Sequence, residues 1–409
     1  MPNPSRIMAR CDEIARHSEL ANGLTRVYLS KEQRAANALV LAWMREAGMQ
    51  ARLDAAGSVV GRYEGTQPGL PCLMLGSHLD SVRDAGRYDG MLGVVTAIEC
   101  VQALNGRNKR LPFAIEVIGF ADEEGVRFGT SLLASRIVAG AFDPALLDAR
   151  DKDGVSMREA MKASGLDPDA IGTAARRSDE LLAYAELHIE QGPVLEAAGV
   201  PVGVVTAING SRRAVVTLRG MAGHAGTVPM ALRRDALAGA AECVLAVERI
   251  ARCEKELVAT VGKLETLPGA TNVIPGEVRF TVDCRSPDDA VREQALQGIF
   301  GAIAAVASTR GLESHVERLP DFNVTRCAPW LSAQFERAVA AEKIPLRRLP
   351  SGAGHDGMAM CAIADIAMLF VRCKAGISHN PAESITEEDA GTGARVLLRF
   401  IEAFEPRGA

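Results

Sequence analysis

Residues 76–93, GSHLDSVRDAGRYDGMLG, place His78, Asp80, Asp84 and Asp89 in one glycine-punctuated loop directly after the apolar run CLML. Carboxylates beside the end of a buried strand are costly unless something binds them. The pattern recurs along the chain. Glu123 and Glu124 follow IEVIGFAD, His188 ends LLAYAELH, and His379 follows IAMLFVR after a short loop. Imidazoles and carboxylates collected at strand ends suit a borderline divalent cation, zinc or manganese above all. His78, Asp89, the Glu123–Glu124 pair, His188 and His379 are too many for one ion, whereas two ions sharing a bridging aspartate fit. Ions about 3.5–4 Å apart are the usual hydrolytic arrangement. One such histidine alone is more often a hydrogen-bonded structural residue; the equivalent placement of all of them carries the reading.

The elements that must position these groups follow from periodicity. RIMARCDEIARHSE and EQRAANALVLAWMREAG have apolar residues at helical spacing. Beyond residue 50, PCLMLGS, FAIEVIGFA, LLAYAELH and IAMLFVR read as strands, separated by helical patterns such as MLGVVTAIECVQALN and GTSLLASRIVAG. Near-continuous apolar strands alternating with helices predict an α/β fold, a doubly wound, mostly parallel sheet covered on both faces. In such sheets ligands bind beyond the carboxyl ends of the strands, where the histidines and glutamates fall. Residues 212–325 differ, running strand, helix, two strands, helix, strand, which is the ferredoxin-like order. We therefore expect a discontinuous catalytic domain, 1–211 with 326–409, interrupted by an inserted α+β domain, 212–325.

Composition narrows the class. The 409 residues exceed one ordinary domain, and 48% hydrophobic with 24% charged residues is globular. A net charge of −5 with no basic stretch speaks against nucleic-acid binding. The charged amino terminus is no signal peptide, and no apolar run would span a bilayer. Nine scattered cysteines, none spaced CxxC, indicate reduced thiols and a cytoplasmic protein. GAGHDG at 352–357 matches GxGxxG but lacks the preceding strand that a dinucleotide site needs.

Seven segments, GSHLDSVRDAGRYDG, ADEEGVRF, ELHIEQGPVLE, GMAGHAGTVPM, TNVIPGEVRFTVDCR, SGAGHD and GISHNPAE, resemble in order the metal-dependent amidohydrolases of ureido compounds. These are the N-carbamoyl-L-amino acid hydrolases, allantoate amidohydrolases and microbial β-ureidopropionases, within the superfamily of aminoacylases and glutamate carboxypeptidases. The resemblance implies that His78, Asp89 and His188 hold one divalent ion, and that Asp89 bridges to a second held by Glu124 and His379. Asp80 is then either a partner orienting the His78 ring or a loop-capping residue. Glu123 is implied as general base; adjacent side chains at a strand end point in different directions, so one glutamate can face the ions and the other the water. His224 would stabilise the tetrahedral intermediate. Arg285 would clamp a substrate carboxylate, with Asn272, Gln191 and Arg213 as further contacts, Arg212 beside the last competing for its role. His355 falls near the pocket and joins the candidate substrate-binding residues. The inserted domain would serve as lid and homodimer interface. Ala85 stands where many relatives carry glycine, implying a loop residue without positive φ.

The implied reaction is hydrolysis of a carbamoyl C–N bond, releasing ammonia and carbon dioxide. Allantoate and N-carbamoyl-L-amino acids are nearly equal as substrates, RDAGRYDGMLG and GFADEEGVRFG leaning to allantoate. A peptidase or aminoacylase of the same superfamily is the alternative, and a non-catalytic binding protein the third.

Overall fold

The structure, a computed structural model, describes residues 1–407. It divides into two compact units: Met1–Thr206 together with the chain from Arg326 onward, and Ala207–Thr325.

The larger unit is built on a nine-stranded mixed sheet. Its centre is four parallel strands in the order Ala114–Phe120, Cys72–His78, Leu181–Ile189, Ile366–Val371. All seven residues of Cys72–His78 and of Ala114–Phe120 are buried, so neither strand alternates. This is the pattern of strands covered on both faces. Antiparallel strands extend the sheet on each side. Val59–Tyr63 and then Gln50–Leu53 lie beyond Ala114–Phe120, and Val202–Ile208 lies beyond Ile366–Val371. These three strands escape the apolar-run reading.

Helix Met91–Asn105 buries 12 of its 15 residues, and therefore lacks a polar face. It packs on Cys72–His78 and Leu181–Ile189. The close approach depends on Gly93, where a Cβ would lie 2.2 Å from the Leu187 carbonyl oxygen. Pro4–Ala15 and Glu387–Glu402 lie over this helix in turn. Its one buried carboxylate, Glu99, is gripped by Arg6 Nε at 2.8 Å and by the Asn3 N–H at 2.9 Å.

One sequence expectation is corrected. A strand, Arg348–Ser351, does precede GAGHDG. The helix that follows is the four-residue Gly357–Met360, and the strand pairs with Val202–Ile208. A parallel βαβ unit is not formed, so the segment still does not make a dinucleotide fold.

The smaller unit has a five-stranded sheet in the order Leu264–Leu267, Glu277–Ser286, Gly210–Arg219, Glu313–Arg318, with Val258–Thr260 also paired to Glu277–Ser286. Helices Ala236–Arg252 and Asp289–Thr309 pack on it. Val216, Leu218, Phe280, Val282, Ile299 and Ile303 lie in its own apolar core. The first of the two expected middle strands is itself two, Val258–Thr260 and Leu264–Leu267, separated around Gly262.

Candidate metal centre

Parallel register fixes where the chemistry-bearing residues meet. His78, the last residue of its strand, sits opposite Phe120, the last of the next, so the turn bearing Glu123 and Glu124 begins beside it. His188 lies one residue before the end of Leu181–Ile189 and pairs with Phe370. The loops after these strands therefore open at one rim of the sheet. Chain order reverses here, since the loop after Cys72–His78 leads to one side and that after Leu181–Ile189 to the other, the kind of switch point at which open α/β sheets bind ligands.

Asp89 stands at the middle of the cluster, 2% exposed. Its Oδ1 lies 3.5 Å from His78 Nε2 and 3.2 Å from His188 Nε2. Its Oδ2 faces the other way, 3.2 Å from His379 Nε2, which is 3.3 Å from Glu124 Oε1. Two three-residue groups result, His78–Asp89–His188 and Asp89–Glu124–His379, each with ligand atoms within 4.8 Å of one another. Glu123 joins His78 and Glu124 in a further group of the same kind.

The histidine tautomers favour ligation. The His78 Nδ1–H donates to the Asp80 carbonyl at 3.1 Å, and the His188 Nδ1–H donates to the Ile189 carbonyl at 2.9 Å. Both rings thereby turn Nε2 towards Asp89, and the Gly90 N–H donates to His188 Nε2 at 3.2 Å, marking that nitrogen as a lone pair. A second hydrogen bond that fixes ring and tautomer is the usual companion of a metal-bound histidine.

The electrostatics are those of a site suited to a cation. Burial pushes the Asp89 carboxyl up, but its bonds to His188, His379 and His78 hold it well below the ordinary range. Burial pulls His78 down, yet Asp80 and Asp89 raise it well above its usual value. Hydrogen bonds to Asp89 and Glu124 raise His379 to about 10. Burial, reinforced by Glu124, Asp356 and Asp80 against the pull of His78, pushes Glu123 well above the carboxylate range. A field that draws protons onto imidazoles is one that divalent cations satisfy, and the N/O donor set fits zinc or manganese.

Supporting residues surround the cluster. Asp80, 1% exposed, accepts the backbone N–H of Glu123 at 3.0 Å and of Glu124 at 3.1 Å while its Oδ1 lies 3.6 Å from His78 Nδ1. The carboxylate of Asp80 thus caps the Glu123–Glu124 turn, while the His78 ring is bonded by the Asp80 backbone carbonyl. Gln191 donates Nε2 to Asp89 Oδ2 at 3.2 Å and to Ser378 Oγ at 3.1 Å, and its buried Oε1 has no hydrogen-bond partner. His355 is 1% exposed, bonds Ser351 Oγ at 2.7 Å, and sets its ring edge-on to His188 at 4.5 Å between centroids. That is a place beneath His188 rather than an open one for substrate. Ala85 is free of positive φ; Asp84 beside it takes φ 52°.

Four of the expected site residues lie in the smaller unit. Arg213 and Arg285 lie on one sheet face, both bonded to Asp283: Arg213 Nε to Oδ2 at 3.1 Å, Arg285 Nε to Oδ1 at 3.0 Å. Arg212 points away, donating to the Phe322 carbonyl and to Asn323. Of the two neighbours, Arg213 therefore shares the face of Arg285. His224 pairs with Val273 in a two-residue ladder, and the Ala225 N–H donates to the Asn272 carbonyl at 2.9 Å. The Gly226 N–H donates to His224 Nδ1 at 3.0 Å, which leaves the hydrogen of the neutral ring on Nε2 as a free donor.

Sequence reading missed Glu383 and Ser378, which brace Asp89, and Glu186, which accepts from Ser77 Oγ and Tyr184 Oη at 3.0 Å beside His188 and His355. One carboxylate in NPAESITEED has no local signal; its place four residues after His379 was the available hint.

The family model described as peptidase family M20/M25/M40 matches residues 74–403. The chain is 44% identical to an N-carbamoyl-L-amino acid amidohydrolase of Geobacillus stearothermophilus, covering 93% of both chains. It is 38% identical to an allantoate deiminase of Arabidopsis thaliana, over 97% of this chain and 81% of that one. Among solved structures, a hydantoinase/carbamoylase-family amidase from Burkholderia multivorans superposes with a TM-score of 0.93 at 36% identity, over 99% of each chain.

Proposed function

The chain belongs to the peptidase M20/M25/M40 family, and from that premise we infer that it is an amidohydrolase that cleaves the carbamoyl C–N bond of a ureido acid. One observation carries the reading beyond family membership: the two oxygens of Asp89 face separate sets of ligand side chains. His78, Asp89 and His188 would hold one divalent ion, zinc or manganese, and Asp89, Glu124 and His379 a second. Such ions supply Lewis-acid polarisation and lower the pKa of water towards 7.

The residues of the chain do the rest. Glu123 takes the proton of the attacking water as its oxygen bonds the carbamoyl carbon, then delivers that proton to the substituted nitrogen as the C–N bond breaks. The products are the amine and carbamic acid, which falls apart to ammonia and carbon dioxide. His224 donates its Nε2–H to the developing oxyanion. Arg285, with Arg213, Asn272 and Gln191, binds the substrate carboxylate and its neighbours, exchanging the Asp283 contacts for a bidentate anion. The smaller unit, which bears His224, Arg213, Asn272 and Arg285, takes the ferredoxin-like lid and homodimer role in this reading.

Ammonia release from allantoate, several N-carbamoyl-L-amino acids and N-carbamoyl-β-alanine tests the reading. Activity should require added manganese or zinc, vanish with chelator, and fall about 10²–10⁴-fold in Glu123→Gln. Cleavage of an N-acetyl amino acid with no ammonia from any ureido acid would instead make the protein an aminoacylase.

A further inference from the structure

Asp89 reaches the centre of the cluster from a loop, and loops hold ligands less well than strands do. What fixes it is a buried carboxylate almost three hundred residues away. Glu383, 3% exposed, accepts with Oε1 the backbone N–H of Tyr88 at 2.9 Å and of Asp89 itself at 3.1 Å. Its Oε2 accepts the Ser378 hydroxyl at 2.8 Å. Ser378 Oγ in turn receives Gln191 Nε2, whose other hydrogen bond goes to Asp89 Oδ2. Glu383 therefore touches Asp89 twice, through its backbone and through the Ser378–Gln191 relay. It also ties the Asp89 loop to the loop that carries His379.

The fit is tight. Gly86 lies against Glu383, and a Cβ at position 86 would fall 2.2 Å from the Glu383 Cβ, too near for any side-chain rotation to relieve. Gly86 has no positive φ, so the glycine is there for the contact. Asp80 does the same for the other side of the site, collecting the N–H groups of Glu123 and Glu124. The Asp89 loop and the Glu123–Glu124 turn are thus each gathered by one buried carboxylate outside the proposed ligand set.

We propose that Glu383 is a positioning residue that sets the bridging geometry of Asp89 and couples the Asp89 and His379 loops, so that metal affinity depends on a side chain outside the ligand set. The proposal rests on the assignment of Asp89 and His379 as ligands. The test is manganese titration of full-length protein by calorimetry, alongside kcat and KM on a hydrolysed ureido acid and the melting temperature without metal. Glu383→Ala should bind manganese about 10–100-fold more weakly and lose kcat with KM little changed. Glu383→Gln keeps an oxygen for the two backbone N–H groups and should restore affinity to within about threefold of wild type. Gly86→Ala, which displaces Glu383 but leaves its carboxylate intact, should reproduce the loss and serves if Glu383→Ala fails to fold. Wild-type manganese affinity in folded Glu383→Ala, or in Gly86→Ala, would overturn the proposal alone. Failure of the wild-type protein to bind manganese, and zinc in a parallel titration, would overturn the ligand assignment with it.

Discussion

Asp54 shows how much one carboxylate depends on its surroundings. It opens the turn between Gln50–Leu53 and Val59–Tyr63, and its Oδ1 accepts the Ala56 N–H at 2.9 Å and the Ser58 N–H at 2.8 Å. Burial raises its pKa to about 6 despite those bonds. A carboxyl raised in the folded state stabilises fully below its unfolded value near 4 and loses that contribution as pH rises through about 6. The shift corresponds to about 3 kcal/mol. Asp54→Asn keeps the acceptor and removes the charge. The stability difference between wild type and this variant should therefore move by about 2 kcal/mol from pH 4 to pH 7, in favour of the variant, and denaturant titrations at both pH values measure it. Legibility at this scale depends on what surrounds a residue in sequence. His78, Glu124, His188 and His379 were readable because each follows an apolar strand, so type and place agreed. Glu383 and Glu186 were not, since a carboxylate that collects backbone N–H groups or hydroxyls differs from a surface one only by its partners.

At the scale of elements, parallel strands were the legible part. Cys72–His78, Ala114–Phe120 and Ile366–Val371 are buried on both faces, and full burial writes an unbroken apolar run. Gln50–Leu53, with most of its residues exposed, and Arg348–Ser351, a four-residue edge piece, carry no such signature. Helix Met91–Asn105 was legible for the same reason, and its packing makes a prediction. The Cβ that Gly93→Ala introduces would meet the Leu187 carbonyl oxygen at 2.2 Å and Ser77 Cβ at 2.9 Å, so the helix must move off two strands that carry His78 and His188. Overpacking of this kind costs about 1–3 kcal/mol, and a clash against a backbone oxygen falls at the upper end, above the roughly 1 kcal/mol that alanine gains over glycine in a helix. Gly93→Ala should therefore unfold at lower denaturant than wild type with an unchanged m-value.

The main apolar cores of the two units draw on different parts of the chain. Leu73, Leu75, Val94, Ile98, Leu187 and Leu397 belong to one, and Val216, Phe280, Val282, Ile299 and Ile303 to the other. Each sheet closes its own core, so the units can lose structure in separate steps, as multidomain proteins do. All five proposed metal ligands lie in the first unit. A ligand that binds only folded protein stabilises the unit that holds it by RT ln(1 + [L]/Kd), about 2.7 kcal/mol at one hundred times Kd. Metal should therefore act on one step and not on the other. Scanning calorimetry with manganese and then with chelator should show two transitions, of which only one moves. Hydrogen exchange identifies which: amides of Cys72–His78 and Leu181–Ile189 should gain protection with metal, while those of Gly210–Arg219 and Glu277–Ser286 should not change. Equal protection in both sheets would mean that the metal stabilises a single cooperative whole, and that the two cores do not act as separate folding units.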